Sequence, residues 1–252
     1  MQYLDKKVAV ITGAAGSIGR ASVAAFKREG ATVVAVDVQG ESPDADLFLN
    51  ADLTNEQQVE ELYNRVAQQF GRIDVLFNNA GIALPEDGSI LDTDVTVFNR
   101  LLEVNTLSVF LCCKHGLPHL IRGGGSVINT ASLVASMGSA VSQIGYTASK
   151  GAVLSLTREI AVEFAKKGIR VNAISPGPVE TPLLTTLFSP EQKQRRLVHV
   201  PYGRFAQPRE IAEAAVFLAS DASSYINGTE FKVDGGISAA YVTPEGDPML
   251  AP

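Results

Sequence analysis

Cysteine is nearly absent: the 252 residues hold two, Cys112 and Cys113. Neighbouring positions inside a helical-looking run do not suit an ordinary disulfide and suit reduced thiols buried as small hydrophobes, which points to the cytoplasm. No apolar run reaches the ~18 residues of a membrane span. The start, Met1 to Lys7, also lacks the basic-then-apolar order of a signal peptide, so no membrane partner is expected. Like-charge blocks and low-complexity tracts are missing as well, which confines disorder, at most, to the ends. A net charge of -6 offers nucleic acid no electrostatic attraction. What remains is a globular balance of 46% hydrophobic and 19% charged residues. At this length a single α/β domain, 1–252, can bury a substantial core, and its expected partner is a small molecule.

The chain alternates short apolar runs with helical patterns. Lys7 to Thr12 reads as a strand, broken by the glycine-rich turn Gly13 to Gly19, and a helix runs on to Arg28. Ala31 to Val36 is continuous and apolar, as in a strand covered on both faces, with Asp37 at its carboxyl end. A weak strand at Leu47 to Leu49 precedes Asp52 and a helix from Asn55 to Phe70. A fourth strand, Ile73 to Phe77, closes on Asn78-Asn79-Ala80-Gly81. Asp94 to Ile121 is helical, with a break or bend expected at Gly116 and Pro118. Further strands are predicted at Ser126 to Asn129, Ile169 to Ile174 and Phe231 to Val233. Helices are predicted through Tyr146 and Lys150 to Lys167, and from Pro208 to Ser220. The segment from Pro176 to Gln207 reads as a loop with short helical pieces, a lid over about 178–207; a tail begins near 238. This order predicts an open, doubly wound parallel sheet of the Rossmann type, with helices on both faces and ligands at the carboxyl ends of the strands.

Two features carry chemistry. The Gly13 to Gly19 turn opens a helix directly after the first strand, so its N–H groups and the helix dipole can hold a pyrophosphate. Asp37 follows Gly19 by 18 residues, close to where an acidic residue takes the adenosine ribose hydroxyls. The second feature is Tyr146 and Lys150, four apart on one helical face. At an effective dielectric of ~20, an ammonium roughly 4 Å from a phenolate stabilises it by about 4 kcal/mol, at most roughly three pKa units. A tyrosine so tuned can move a proton to or from an alcohol oxygen. By itself the pair also fits a tyrosine packed beside a snorkelling lysine.

Taken in order, these motifs resemble the short-chain dehydrogenase/reductase family in its form of about 250 residues, and the resemblance covers nearly the whole chain. Thr12-Gly13-Ala14-Ala15-Gly16-Ser17-Ile18-Gly19 is similar to the family's T-G-x-x-x-G-x-G, and Asn78 to Gly81 to its N-N-A-G. Asn105, Ser132, Tyr146 and Lys150 match its active-site set, and Pro176-Gly177 its P-G after the sixth strand. Two departures stand out. Ser17 replaces the middle fingerprint glycine, with Gly16 one place earlier, and the 14 residues from Ser132 to Tyr146 imply one extra loop residue. Ser136 and Ser139 could be imagined as substitutes for Ser132, which follows the strand directly and is preferred.

The resemblance implies that Tyr146 is the acid/base, and that Lys150 lowers its pKa and binds the nicotinamide ribose. Ser132 would hold the substrate oxygen, and Asn105 a water linking Lys150 to solvent; Asn105 could instead cap a helix kink. Cofactor contacts are implied at Gly13, Ser17, Ile18, Gly19, Asp37, Asp52, Leu53, Asn79, Ala80, Gly81, Tyr146, Lys150, Pro176, Gly177, Val179 and Thr181. Asp52 could equally cap the following turn, and Asn78 could only stitch the sheet.

Asp37 repels a 2′-phosphate, and Val38 and Gln39 supply no cation, so NAD is the expected cofactor; no metal is expected. The expected reaction interconverts a secondary alcohol and a ketone, in the oxidative direction. A 3-oxoacyl-thioester reductase and a catalytically silent NAD-sensing protein are the alternatives. The runs Val104 to Cys113 and Ala148 to Ile160 are apolar on more than one stripe, which implies a second buried face. The resemblance implies a homotetramer built on it. The tail, Tyr241 to Pro252, reads either as a frayed end or, with Tyr241, Val242, Met249 and Leu250 in it, as docked on a neighbouring subunit near its lid. Lys193, Arg195, Arg196, His199 and Arg204 in the lid read either as a site for an anionic substrate or as a solvated face.

Overall fold

The computed structural model describes residues 2–42, 44–181 and 189–239. Seven parallel strands form one sheet in the order β3-β2-β1-β4-β5-β6-β7. They are β1 (Val8–Thr12), β2 (Thr32–Asp37), β3 (Leu47–Asn50), β4 (Val75–Asn78), β5 (Gly125–Thr130), β6 (Ile169–Pro176) and β7 (Glu230–Val233). The central strands are buried along their length, Val8 to Thr12 throughout, which is why their sequences are continuous and β-branched instead of alternating. Register is parallel on both sides of β1, where Ile11 lies between Ala35 and Phe77. The order reverses at β1, so a crevice opens between the carboxyl ends of β1 and β4.

Helices cover both faces. On one side, α2 (Glu56–Phe70), α4 (Ser108–Leu120) and α5 (Ile144–Phe164) bury Val59, Leu62, Tyr63, Leu117, Val153 and Leu154 with the sheet. On the other, α1 (Ser17–Arg28) and the last helix, α7 (Pro208–Ala219), bury Val23, Phe26, Ile211 and Leu218. α2 is capped by Asn55, whose side chain accepts from Gln58 N at 3.2 Å, and ends at Gly71 in the left-handed region. In the lid, α6 (Pro190–Leu197) starts with a capping box between Ser189 and Gln192. The tail beyond residue 239 and lid residues 182–188 lie outside the described residues.

α3 (Val95–Leu102), one π-helical turn (Glu103–Leu107) and α4 run on as a single helix, Val95–Leu120. By length and composition alone this helix could cross a membrane. Here its buried residues pack on the sheet and on α2, and it carries Arg100, Glu103, Lys114 and His115 outward. The expected break at Gly116 and Pro118 does not occur. Pro118 stands inside the helix, which runs on to Leu120, and Gly116 is where the helix touches the sheet. A Cβ on Gly116 would come within 2.5 Å of Leu76 Cδ1 and 3.1 Å of Tyr63 Cε1. The irregularity falls instead on the turn that contains Asn105.

Candidate active site

The crevice is a cleft of about 590 Å³. Gly13, Ser17, Ile18, Gly19, Asp37, Asp52, Leu53, Asn79, Ala80, Gly81 and Thr181 line it, as expected from the sequence. The turn after β1 is tight: Gly13 has φ +63°, and a Cβ there would lie 2.8 Å from Ala80 Cα. A Cβ on Gly19 would lie 2.1 Å from Gly13 O, so the first turn of α1 rests on the loop backbone. Gly16 is the cap residue and offers no side-chain bond to the helix, which leaves the N-terminal amides of α1 open to an anion. Ser17, at the first helical position, lines the cleft.

Asp37 both lines the cleft and braces it. Its Oδ2 accepts from Ala15 N at 3.0 Å and its Oδ1 from Val38 N at 2.8 Å, leaving lone pairs for hydroxyl donors. Arg20 turns away, its Nε donating to Ala15 O at 2.8 Å. Asp52 uses Oδ1 for Thr54 N and Oγ1, at 2.9 and 2.8 Å, and these bonds hold its carboxyl below the usual range. It shapes the turn before α2, whose cap is Asn55, and it faces the cleft as well. Thr12 Oγ1 accepts from Asn79 N and Ala80 N, which binds the end of β4 to the end of β1. Asn78 is buried and donates to Asn129 Oδ1 at 2.8 Å, stitching β4 to β5. The cleft therefore fits a dinucleotide: open amides at the glycine turn, a carboxylate at the second strand and an apolar floor at Ala51 and Leu53.

Beyond Gly81 lies the second group. A Cβ on Gly81 would be 3.1 Å from both Asn105 Oδ1 and Lys150 Nζ, so these two side chains flank the end of the cleft. Lys150 is buried and donates to Thr130 O at 2.7 Å; burial lowers its pKa to about 8. Its ammonium lies 5.9 Å from the centre of the Tyr146 ring. Burial raises the Tyr146 phenol, and a hydrogen bond with Ser132 pulls it the other way. At this distance the structure resolves no lowering of the phenol by Lys150. Ser132 lies beside Tyr146, whereas the exposed Ser136 hydroxyl bonds Glu230 at 2.8 Å.

Asn105 is buried within the π turn. It donates to Ile82 O at 2.9 Å and Ser149 Oγ at 3.0 Å and accepts from Ile82 N at 2.7 Å. Ser149 Oγ in turn donates to Tyr146 O at 2.7 Å. Pro176, Gly177 and Val179 do not line the cleft. Gly177 packs on Asp234, where a Cβ would meet Asp234 Cα at 2.8 Å, and Val179 is buried in a bridge with Ala206.

Sequence reasoning missed several lining residues, among them Arg100, Val104 and Ser108. They lie four apart along one helix, so the helical spacing around Asn105 was the available signal. In the lid, Lys193 pairs with Glu180 at 2.5 Å and Arg204 with Glu210 at 2.6 Å.

A family model described as Enoyl-(Acyl carrier protein) reductase matches residues 13–238. The cis-4-hydroxycyclohexanecarboxylate dehydrogenase of Sinomonas cyclohexanicum is 40% identical, over 93% of this chain and 97% of its own. A 3-oxoacyl-(acyl-carrier-protein) reductase of Thermotoga maritima is 38% identical, over 93% of this chain and 98% of its own. Among solved structures, the ligand-free aldohexose dehydrogenase of Thermoplasma acidophilum superposes with a TM-score of 0.86 at 33% identity, covering 97% of this chain and 99% of that one.

Proposed function

The chain belongs to the short-chain dehydrogenase/reductase family, and from that premise we propose an NAD-dependent oxidoreductase that interconverts a secondary alcohol and a ketone, with Tyr146 as its acid/base. The observation that carries this reading is that Ser132, Tyr146 and Lys150 come together beside Gly81, next to a cleft that Asp37 also borders. When bound, the nicotinamide supplies the site that accepts or returns the hydride. Everything else falls to the chain. Tyr146 takes the alcohol proton as the substrate is oxidised and returns it in reduction. The Ser132 hydroxyl holds the substrate oxygen and stabilises the charge that develops there. Lys150 spends one of its three donors on Thr130 O, which leaves two for ribose hydroxyls, and its charge favours the phenolate. Asn105 keeps one Oδ1 lone pair free beside Lys150, enough to hold a water that passes the proton outward.

Asp37 supports NAD over NADP. A 2′-phosphate of charge near -2 at ~4–5 Å from a carboxylate costs several kcal/mol at an effective dielectric of ~20. The Thermotoga relative and the basic lid favour the second reading, a 3-oxoacyl-thioester reductase. Asp37 speaks against it, because biosynthetic members of the family usually use NADPH, and the pairing of Lys193 and Arg204 weakens the case for an anionic substrate. The intact Tyr146 and Lys150 speak against a silent sensor. One domain spans the chain in this reading, and the buried free thiols Cys112 and Cys113 suit a cytoplasmic setting. Leu107, Phe110 and Val162, exposed on the helix of Asn105 and on α5, suit burial in a homotetramer.

The test is kcat/KM with each cofactor over a panel of secondary alcohols. NAD should be preferred by at least about a hundredfold, roughly 2.7 kcal/mol. Asp37→Ser combined with Val38→Arg should narrow or invert the ratio. Comparable values for the unmodified protein would falsify the assignment.

A further inference from the structure

Helix α5 presents Tyr146 from its first turn, which is where helices fray. Its first amides have no partner within the helix, and its cap residue, Gln143, makes no side-chain bond to them. Those amides are met from 58 residues away: Asp87 Oδ1 accepts from Gly145 N and Oδ2 from Tyr146 N, each at 2.8 Å. The next residue joins in, with Ile144 N donating to Gly88 O at 3.3 Å. Asp87 is buried, and it is locked in its own turn by a bond from Asp87 N to Leu84 O. Gly145 is required by the fit, since a Cβ there would lie 2.7 Å from Leu101 Cδ1 and 3.3 Å from Asp87 Oδ1.

We propose that Asp87 is a positioning residue for Tyr146: its carboxylate caps α5 from outside the helix and so fixes the turn from which the phenol reaches Ser132. The inference rests on the reading of Tyr146 as acid/base. A carboxylate is suited to the task for two reasons. It satisfies two buried N–H groups at once, and its charge lies at the positive end of the α5 dipole. Asp87 lines neither the dinucleotide cleft nor its glycine turn, so its loss should leave cofactor affinity alone.

Amide hydrogen exchange, NADH titration and steady-state kinetics on the full chain test this together. In Asp87→Ala, exchange over residues 144–147 should rise at least about tenfold while the other helices keep their protection, kcat should fall about tenfold, and the NADH Kd should stay within about twofold. Asp87→Asn, which keeps one acceptor oxygen, should recover most of the rate, to within about threefold of the unmodified protein; should Asp87→Ala fail to fold, this variant carries the test with the smaller changes. Tyr146→Phe, measured alongside, separates the two ideas. If Tyr146→Phe is inactive but Asp87→Ala keeps its kcat, or if exchange over 144–147 is unchanged, the role of Asp87 is overturned while the acid/base reading stands. If Tyr146→Phe keeps its rate, the acid/base reading falls and takes the positioning role with it.

Discussion

The cleft around β1, β2 and β4 and the group around α5 reach the same edge of the sheet by different means. The cleft is built from contiguous stretches whose backbone makes the site: a glycine turn, the end of β2 and the Asn79-Ala80-Gly81 bend. The α5 group is built from side chains held by distant partners. Lys150 is held by the carbonyl of Thr130, Ser149 by Asn105, and the amides of Gly145 and Tyr146 by Asp87. The first arrangement needs small residues and open amides, and tolerates charge at its rim. The second needs burial, and burial sets its electrostatics. Binding and chemistry should therefore respond to different substitutions.

The largest effect is expected at Lys150, which serves both regions. Lys150→Met should lower kcat by about 10³-fold, within the usual range for acid–base machinery, and should weaken NAD binding through the lost ribose contact. The same change should stabilise the fold. Holding the ammonium at a pKa of about 8 against its ordinary value of 10.5 costs about 3 kcal/mol, of which the orphaned Thr130 carbonyl gives back about 1–2. The sign follows from a folded pKa below the unfolded one: the cost is full below pH about 8, where both states carry the proton. It fades as pH rises toward the unfolded value. Melting of the two proteins from pH 6 to 10 should show a gain of about 1–2 kcal/mol that vanishes at the alkaline end; a variant less stable than the parent at pH 7 would contradict it.

A smaller effect of opposite kind is expected at Gly19. Gly19→Ala places a Cβ against Gly13 O and Ala14 Cα, so the turn must open. NADH affinity should fall by about tenfold and stability by about 2 kcal/mol, while kcat at saturating NAD stays within about threefold. If kcat fell as far as affinity, the two regions would not be separable in this way.

The same contrast explains what the sequence made legible. The succession of strands and helices, the glycine turn, Asp37 and the helix through Tyr146 follow from local pattern, and their places agree with the fold. Asp87 could not be read, because a carboxylate capping a helix 58 residues on leaves no spacing in the chain. Nor could the balance at Tyr146. The four-residue spacing gives an ammonium near a phenol, but the cost of burying both depends on the packing of β5 and the π turn around them. Pro118 misled as well: it stands inside a helix that continues to Leu120.

The central claim is that Tyr146 moves the proton while the cleft binds the dinucleotide without it. Tyr146→Phe, titrated with NADH and assayed in the same buffer with a secondary alcohol that the parent oxidises, tests both halves at once. The account predicts an NADH Kd within about threefold of the parent and a kcat reduced at least about 10³-fold. A Phe variant that keeps more than a few per cent of the rate, or one that loses NADH binding along with turnover, would contradict it.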